Sequence, residues 1–196
     1  MESIMNKNNI IQGLKDSLVP IFRNKIQEEK LTFKGDINCF KQVTLRWLDY
    51  KVRYITQKPR KVYYANSFPQ KLKFHTHRAL TELVSKIQLG LDINPYLSNT
   101  LITNDTSHLK SQQRTDKFYA HFGIHHFHLP INDFKDSSDF LNNRKNNCWL
   151  FAIISKDWAG LIDITPHTSN NFYDLKHLES IYDSWPEILE PYRLKN

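Results

Sequence analysis

Cysteine is scarce in this chain: Cys39 and Cys148 are its only two, and their spacing suggests neither a framework of bridges nor a zinc ribbon. A reducing cytoplasm is the expected setting. No apolar run approaches the roughly 20 residues that cross a bilayer, and the start MESIMNKNN lacks the charged-then-apolar plan of a signal peptide. Neither membrane insertion nor export by that route is expected. No internal repeat is visible, and the helical His-Glu motif of metallohydrolases is missing. Acid is nearly absent from one stretch. Between Lys41 and Arg78 stand ten bases (Lys41, Arg46, Lys51, Arg53, Lys58, Arg60, Lys61, Lys71, Lys73, Arg78) against the single acid Asp49, an excess of +9. From Asp157 onward the balance reverses, with seven acids against three bases. A concentrated positive segment within a chain of net charge +7 suits a polyanion such as nucleic acid, although a basic surface also serves solubility.

The aromatic supply is generous, with 12 Phe, 9 Tyr and 4 Trp in 196 residues, enough to bury a core and to argue against general disorder. The expected organisation is an N-terminal helical arm over residues 1–34 and one α+β catalytic domain over 35–196. Ile10, Leu14, Leu18, Ile21, Phe22 and Ile26 recur at helical spacing, with a kink expected at Pro20. A second helix is expected from Asn38 to Ile55, with Phe40, Val43, Trp47, Tyr50 and Tyr54 on its apolar stripe and Arg46 and Arg53 off it. Residues 60–64 alternate like a short strand. A third helix is read from Pro69 to Leu89, stopped by Gly90. His75 and His77 fall in its early turns, where they diverge by about 200° and do not share one ion readily; they are read as structural or phosphate-facing. The span from Ile131 to Asn147 reads as a solvated loop. Cys148–Ile154 and Leu161–Thr165 form the clearest signal, a hairpin, and a last helix is expected from Tyr173 to Ser184.

The candidate site centres on Gly123-Ile124-His125-His126-Phe127-His128-Leu129. Bounded by Gly123 and Pro130, the run is short and alternating, so it reads as a strand. Alternation puts His125, Phe127 and Leu129 on the core face and His126 and His128 on the other, roughly 7 Å apart along the strand. The same rule puts Ile162 and Ile164 on the core face of the hairpin, and Asp163 and Thr165 opposite. Short connections favour a meander of these three strands. The expected fold is therefore a small antiparallel β-sheet in the C-terminal half, flanked by helices. Its non-core face would gather His126, His128 and Asp163, with His167 at one edge and Arg114 just upstream. Half-buried histidines bonded to their neighbours are at least as common as catalytic ones, so the pair gains weight only from this company.

Two chemistries use such a set. In metal-independent RNA cleavage one imidazole takes the 2′-hydroxyl proton, another protonates the departing 5′ oxygen, and a cation such as Arg114 stabilises the phosphorane. No cofactor is needed. Arg53, Arg60, Lys61, Tyr63, Lys71 and Lys73 would then hold RNA, aided by stacking on aromatics of the same segment. The alternative is a metal held by His126, His128 and Asp163, the donors of non-haem iron or catalytic zinc sites. A third reading, from another class, is a nucleic-acid-binding module whose imidazoles merely stitch the sheet together.

Trp47-Leu48, Pro59-Arg60-Lys61-Val62, Asn94-Pro95-Tyr96-Leu97-Ser98, Arg114-Thr115-Asp116, Gly123–Leu129, Asp163-Ile164 and Pro166-His167 together resemble a family of bacterial hypothetical proteins with a Gly-Ile-His-His-hydrophobe-His-Leu box. That resemblance spans most of the chain after residue 40 and marks residues to watch; it implies no activity. Helices followed by a small sheet bearing the candidate residues are loosely similar to the barnase/RelE class of ribonuclease toxins. This likeness implies a toxin or defence role with an antitoxin or immunity partner, although the chain is longer than a typical RelE-like toxin and such toxins have no counterpart of its N-terminal arm. Arg114 and His121 have between them the six intervening residues of the HEPN ribonuclease signature, but that motif belongs to a long helix and Gly123 ends any helix here.

Overall fold

The computed structural model describes residues 2–98, 100–103, 105, 107, 116–130, 147–167 and 174–190. The chain divides into two compact units, one made of Met1–Tyr54 with Asn99–Asp116, the other of Ile55–Ser98 with Lys117–Asn196. The expected boundary near residue 34 falls inside the first.

The first unit holds helices α1 (Glu2–Glu28), α2 (Phe40–Arg53) and the single turn α4 (Thr100–Thr103). The buried face of α2 is Val43, Arg46, Tyr50 and Arg53. The expectation that both arginines lie off the buried stripe is therefore wrong. Polar groups outside the helix explain the difference. Arg46 is fully buried, and its guanidinium donates to the carbonyls of Thr32 at 3.0 Å, Leu101 at 3.1 Å and Ile102 at 2.8 Å. Buried carbonyls left over by turns need donors, and only arginine spreads several from one planar group. Desolvation, partly offset by Asp49, holds that guanidinium below its usual range. Arg53 is bound by the Asp49 carboxylate one turn earlier.

The second unit is built on a four-stranded sheet in the order β1-β4-β3-β2. Its strands are β1 (Lys61–Tyr64), β2 (Ile124–Pro130), β3 (Asn147–Ile154) and β4 (Trp158–Pro166). The last three form the expected antiparallel meander, while β1 joins β4 in parallel, making the sheet mixed. Helix α3 (Phe74–Leu89) packs on β1 and β2. It starts five residues later than Pro69, and Gly90 ends it in the left-handed conformation (φ 71°), with Leu91 N donating to Lys86 O at 2.9 Å. Helices α5 (Lys117–Phe122) and α6 (Lys176–Ser184) cover the opposite face, where Phe118, Ile181, Trp149, Phe151 and Ile162 form one core cluster.

Coverage on both sides leaves no residue of β2 exposed. Alternation did assign its side chains to the right faces, but the face of His126 and His128 is a second core rather than an open surface. A β-bulge modifies β4: Phe151 pairs with Asp163 and Ala152 with Leu161, so Ile162 is the extra residue. At a bulge strict alternation fails, and Ile162 joins the cluster of Phe151 and Trp149 on the face of Asp163. The expected sharing of a face by Ile162 and Ile164 is thereby corrected.

Both cysteines are free thiols. Cys148 is buried, and burial pushes its thiol up from 9.0 to about 11. As pH rises, the unfolded chain loses this proton first, so folding stability should fall between about pH 9 and about pH 11 by on the order of 2 kcal/mol. Denaturant titrations of wild type and Cys148→Ala across that window check this: the wild-type decline should be shallower in the variant. An identical slope would contradict it.

Candidate functional site

The site lies at the end of the sheet where β2 stops, β3 starts and β4 stops, with Pro130 opposite Asn147 and Cys148 opposite Pro166. His126 and His128 stand two residues apart on β2, their ring centroids 5.5 Å apart and their planes at 66°. His167 follows β4 directly and lies 5.5 Å from His128. Its ring lies 4.1 Å from that of Trp149 of β3, tilted by 43°, and Trp149 pairs with His128 on one side and Thr165 on the other. Trp149 also meets His126 edge-on at 6.1 Å. The imidazoles thus form a row, His167–His128–His126, backed by one indole. His167 is exposed, whereas His128 and His126 retain only 7% and 8% of their surface. Solvent therefore reaches the row from the His167 end. The buried Thr165 hydroxyl has no hydrogen-bond partner among the described residues.

Asp163 shares this face but is not in the row. It is in register with Phe151, and Phe151 with His126, which places Asp163 two strand spacings, roughly 10 Å, from His126. The intervening space is filled by Phe151 and by His177 of α6, whose rings lie 4.1 Å apart. Asp163 Oδ2 is 3.7 Å from His177 Nδ1 and 3.5 Å from Lys176 Nζ. His126, His128 and Asp163 accordingly do not converge, and no group of three or more His, Cys, Asp or Glu side chains able to hold a metal occurs among the described residues.

His177, wholly buried, was not anticipated. The large apolar residues of this segment are Leu175, Leu178, Ile181 and Tyr182, but the buried residues of α6 are His177, Ser180 and Ile181, and Leu175 and Tyr182 are exposed. The spacing of 177, 180 and 181 is a helical stripe hidden by its polar members. Asp174 accepts from Lys176 N at 3.1 Å and starts the helix, which sets His177 against Asp163; this bond holds the Asp174 carboxyl below its ordinary range. His125 lies on the Phe127 face, buried, 4.5 Å from the Tyr119 ring, in keeping with a structural role.

The cations separate into two groups. Arg60 is buried and its donors are taken by Ser155 O at 2.8 Å, Thr56 O and Lys58 O at 3.0 Å, and Thr56 Oγ1 at 3.2 Å. Desolvation lowers its pKa from the usual value. Arg60 and Arg53 are structural clips, which removes both from the expected RNA-binding set. Lys61, Tyr63, Lys71 and Lys73 are exposed. Lys71 and Lys73 lead into α3, whose Thr76 donates to Pro130 O at 3.3 Å, so this approach meets the sheet at the end that carries the imidazole row. Arg114 lies outside the described residues.

Fold and site define an α+β protein whose mixed sheet, mostly antiparallel, bears a row of imidazoles at one end. No family model, curated protein or solved structure matches the chain. No helix among the described residues is long and apolar enough to cross a membrane.

Proposed function

We propose that the chain is a metal-independent endoribonuclease of toxin or defence type, acting in the cytoplasm under the control of an inhibitory partner. The observation that carries the reading is the His167–His128 pair, 5.5 Å apart, with one imidazole open to solvent and the other behind it. Two imidazoles so spaced reach different oxygens of one phosphate. The neutral ring takes the proton of the ribose 2′-hydroxyl, the 2′ oxygen attacks phosphorus, and the bond to the 5′ oxygen breaks. The protonated ring supplies the proton that the leaving oxygen needs, and the product is a 2′,3′-cyclic phosphate with a 5′-hydroxyl. His126 stands behind His128 as a positioning residue. Lys71 and Lys73 neutralise flanking phosphates, and Arg114 is the proposed cation for the phosphorane.

Purified protein should cut total RNA in the presence of EDTA. Loss of cutting on chelation would instead require a metal. Retention of RNA without cutting would favour the binding module, a reading supported by the burial of His126 and His128.

A further inference from the structure

We propose that the cleft between residues 64–72 and α3 is a nucleobase subsite, which deepens the RNA reading above and rests on it. The cleft encloses about 430 Å³, within the roughly 300–1,000 Å³ typical of small-ligand sites. Phe68, Leu72 and Leu80 supply its apolar walls, and Tyr64, Gln70 and His77 bring hydrogen-bonding groups to it. The Tyr64 ring stands edge-on to Phe68 at 5.0 Å and 71°, and partial desolvation pushes its hydroxyl above the usual pKa. Gln70 spends one donor on Phe68 O at 3.3 Å, leaving its carbonyl and a second N–H for a ligand.

An apolar slot with donors and acceptors around it fits a planar ring whose edge is polar. The charge nearby selects among such rings. Between Lys61 and Arg78 the chain has four bases (Lys61, Lys71, Lys73 and Arg78) and no acid. An anionic ligand is favoured, and a base carried on a phosphate backbone combines both properties. Pro69 and Gln70 of the cleft lie beside Lys71 and Lys73, which lead to the sheet end bearing His128 and His167. A strand of RNA crossing that end would place one nucleotide's base in the cleft. Stacking of this kind raises affinity about tenfold or more per base.

The test uses the full chain carrying His167→Ala, so that binding is read without cleavage. Affinities for AMP, GMP, CMP and UMP are compared by calorimetry with that for ribose 5-phosphate. At least one nucleotide should bind ten times more tightly than the sugar phosphate. Thr81→Trp, which fills the cleft from an exposed helical position, and Tyr64→Leu should each erase the difference without shifting the unfolding midpoint. Equal binding of nucleotides and ribose 5-phosphate, or a preference untouched by both variants, would overturn the proposal. Failure of the wild-type protein to cleave RNA, alongside a nucleotide preference, would count against the ribonuclease reading alone.

Discussion

His167→Ala is expected to lower RNA cleavage by about 10²–10⁴-fold, the usual worth of one positioned proton-transfer group, while the protein stays folded. His167 is exposed and follows the last residue of β4, so its removal costs the ring contact with Trp149 and little packing. His128 differs because it is buried. Alanine there would open a void beside His126 and His167 and confuse lost catalysis with lost stability. His128→Gln keeps polarity and much of the volume but cannot exchange a proton, so it should match His167→Ala in rate with a nearly native unfolding midpoint. The double variant should be little worse than either single one, because the two groups act in the same step. Near-normal cleavage in both single variants would leave the imidazoles as packing.

Arg46→Met should be the most destabilising single change considered, by about 3–5 kcal/mol, the scale for removing one partner from a buried charged network. Methionine matches the length of the stem but leaves the carbonyls of Thr32 and Leu101 without their donor, each a loss of roughly 1–3 kcal/mol when buried, while the Ile102 carbonyl keeps the Thr32 N–H. Arg46→Lys should recover only part, since one ammonium cannot reproduce the planar fork. Lys71→Ala and Lys73→Ala should behave in the opposite way. Both residues are exposed, so stability should change by less than about 0.5 kcal/mol, while RNA affinity falls and its salt dependence becomes shallower. Urea midpoints alongside RNA titrations at two salt concentrations separate the groups. A stable Arg46→Met protein with weakened RNA binding would reverse their assignment.

The contrast shows what the chain made legible. Strong local patterns read correctly: the hairpin of β3 and β4, the histidine strand, the edge piece at Lys61–Tyr64 and the stop at Gly90. The assignment of His126 and His128 to one face and of Phe127 and Leu129 to the other also followed from alternation. What escaped depends on partners distant in sequence. Arg46 looks like surface charge until the carbonyls of residues 32, 101 and 102 surround it. Arg60 looks like a phosphate ligand until Ser155 and Thr56 occupy it. The bulge at Ile162 has no local sequence signal, and it alters which isoleucine shares the face of Asp163. His177 was hidden because a polar residue in a buried stripe is invisible to a hydrophobic period.

Analysis of the ends left on RNA cut in EDTA tests the imidazole mechanism most directly. The expected products carry 2′,3′-cyclic phosphate and 5′-hydroxyl termini, with no cut at a position where a single 2′-deoxynucleotide replaces the ribose. Termini bearing 5′-phosphate, or cutting that continues past the 2′-deoxy position, would contradict it.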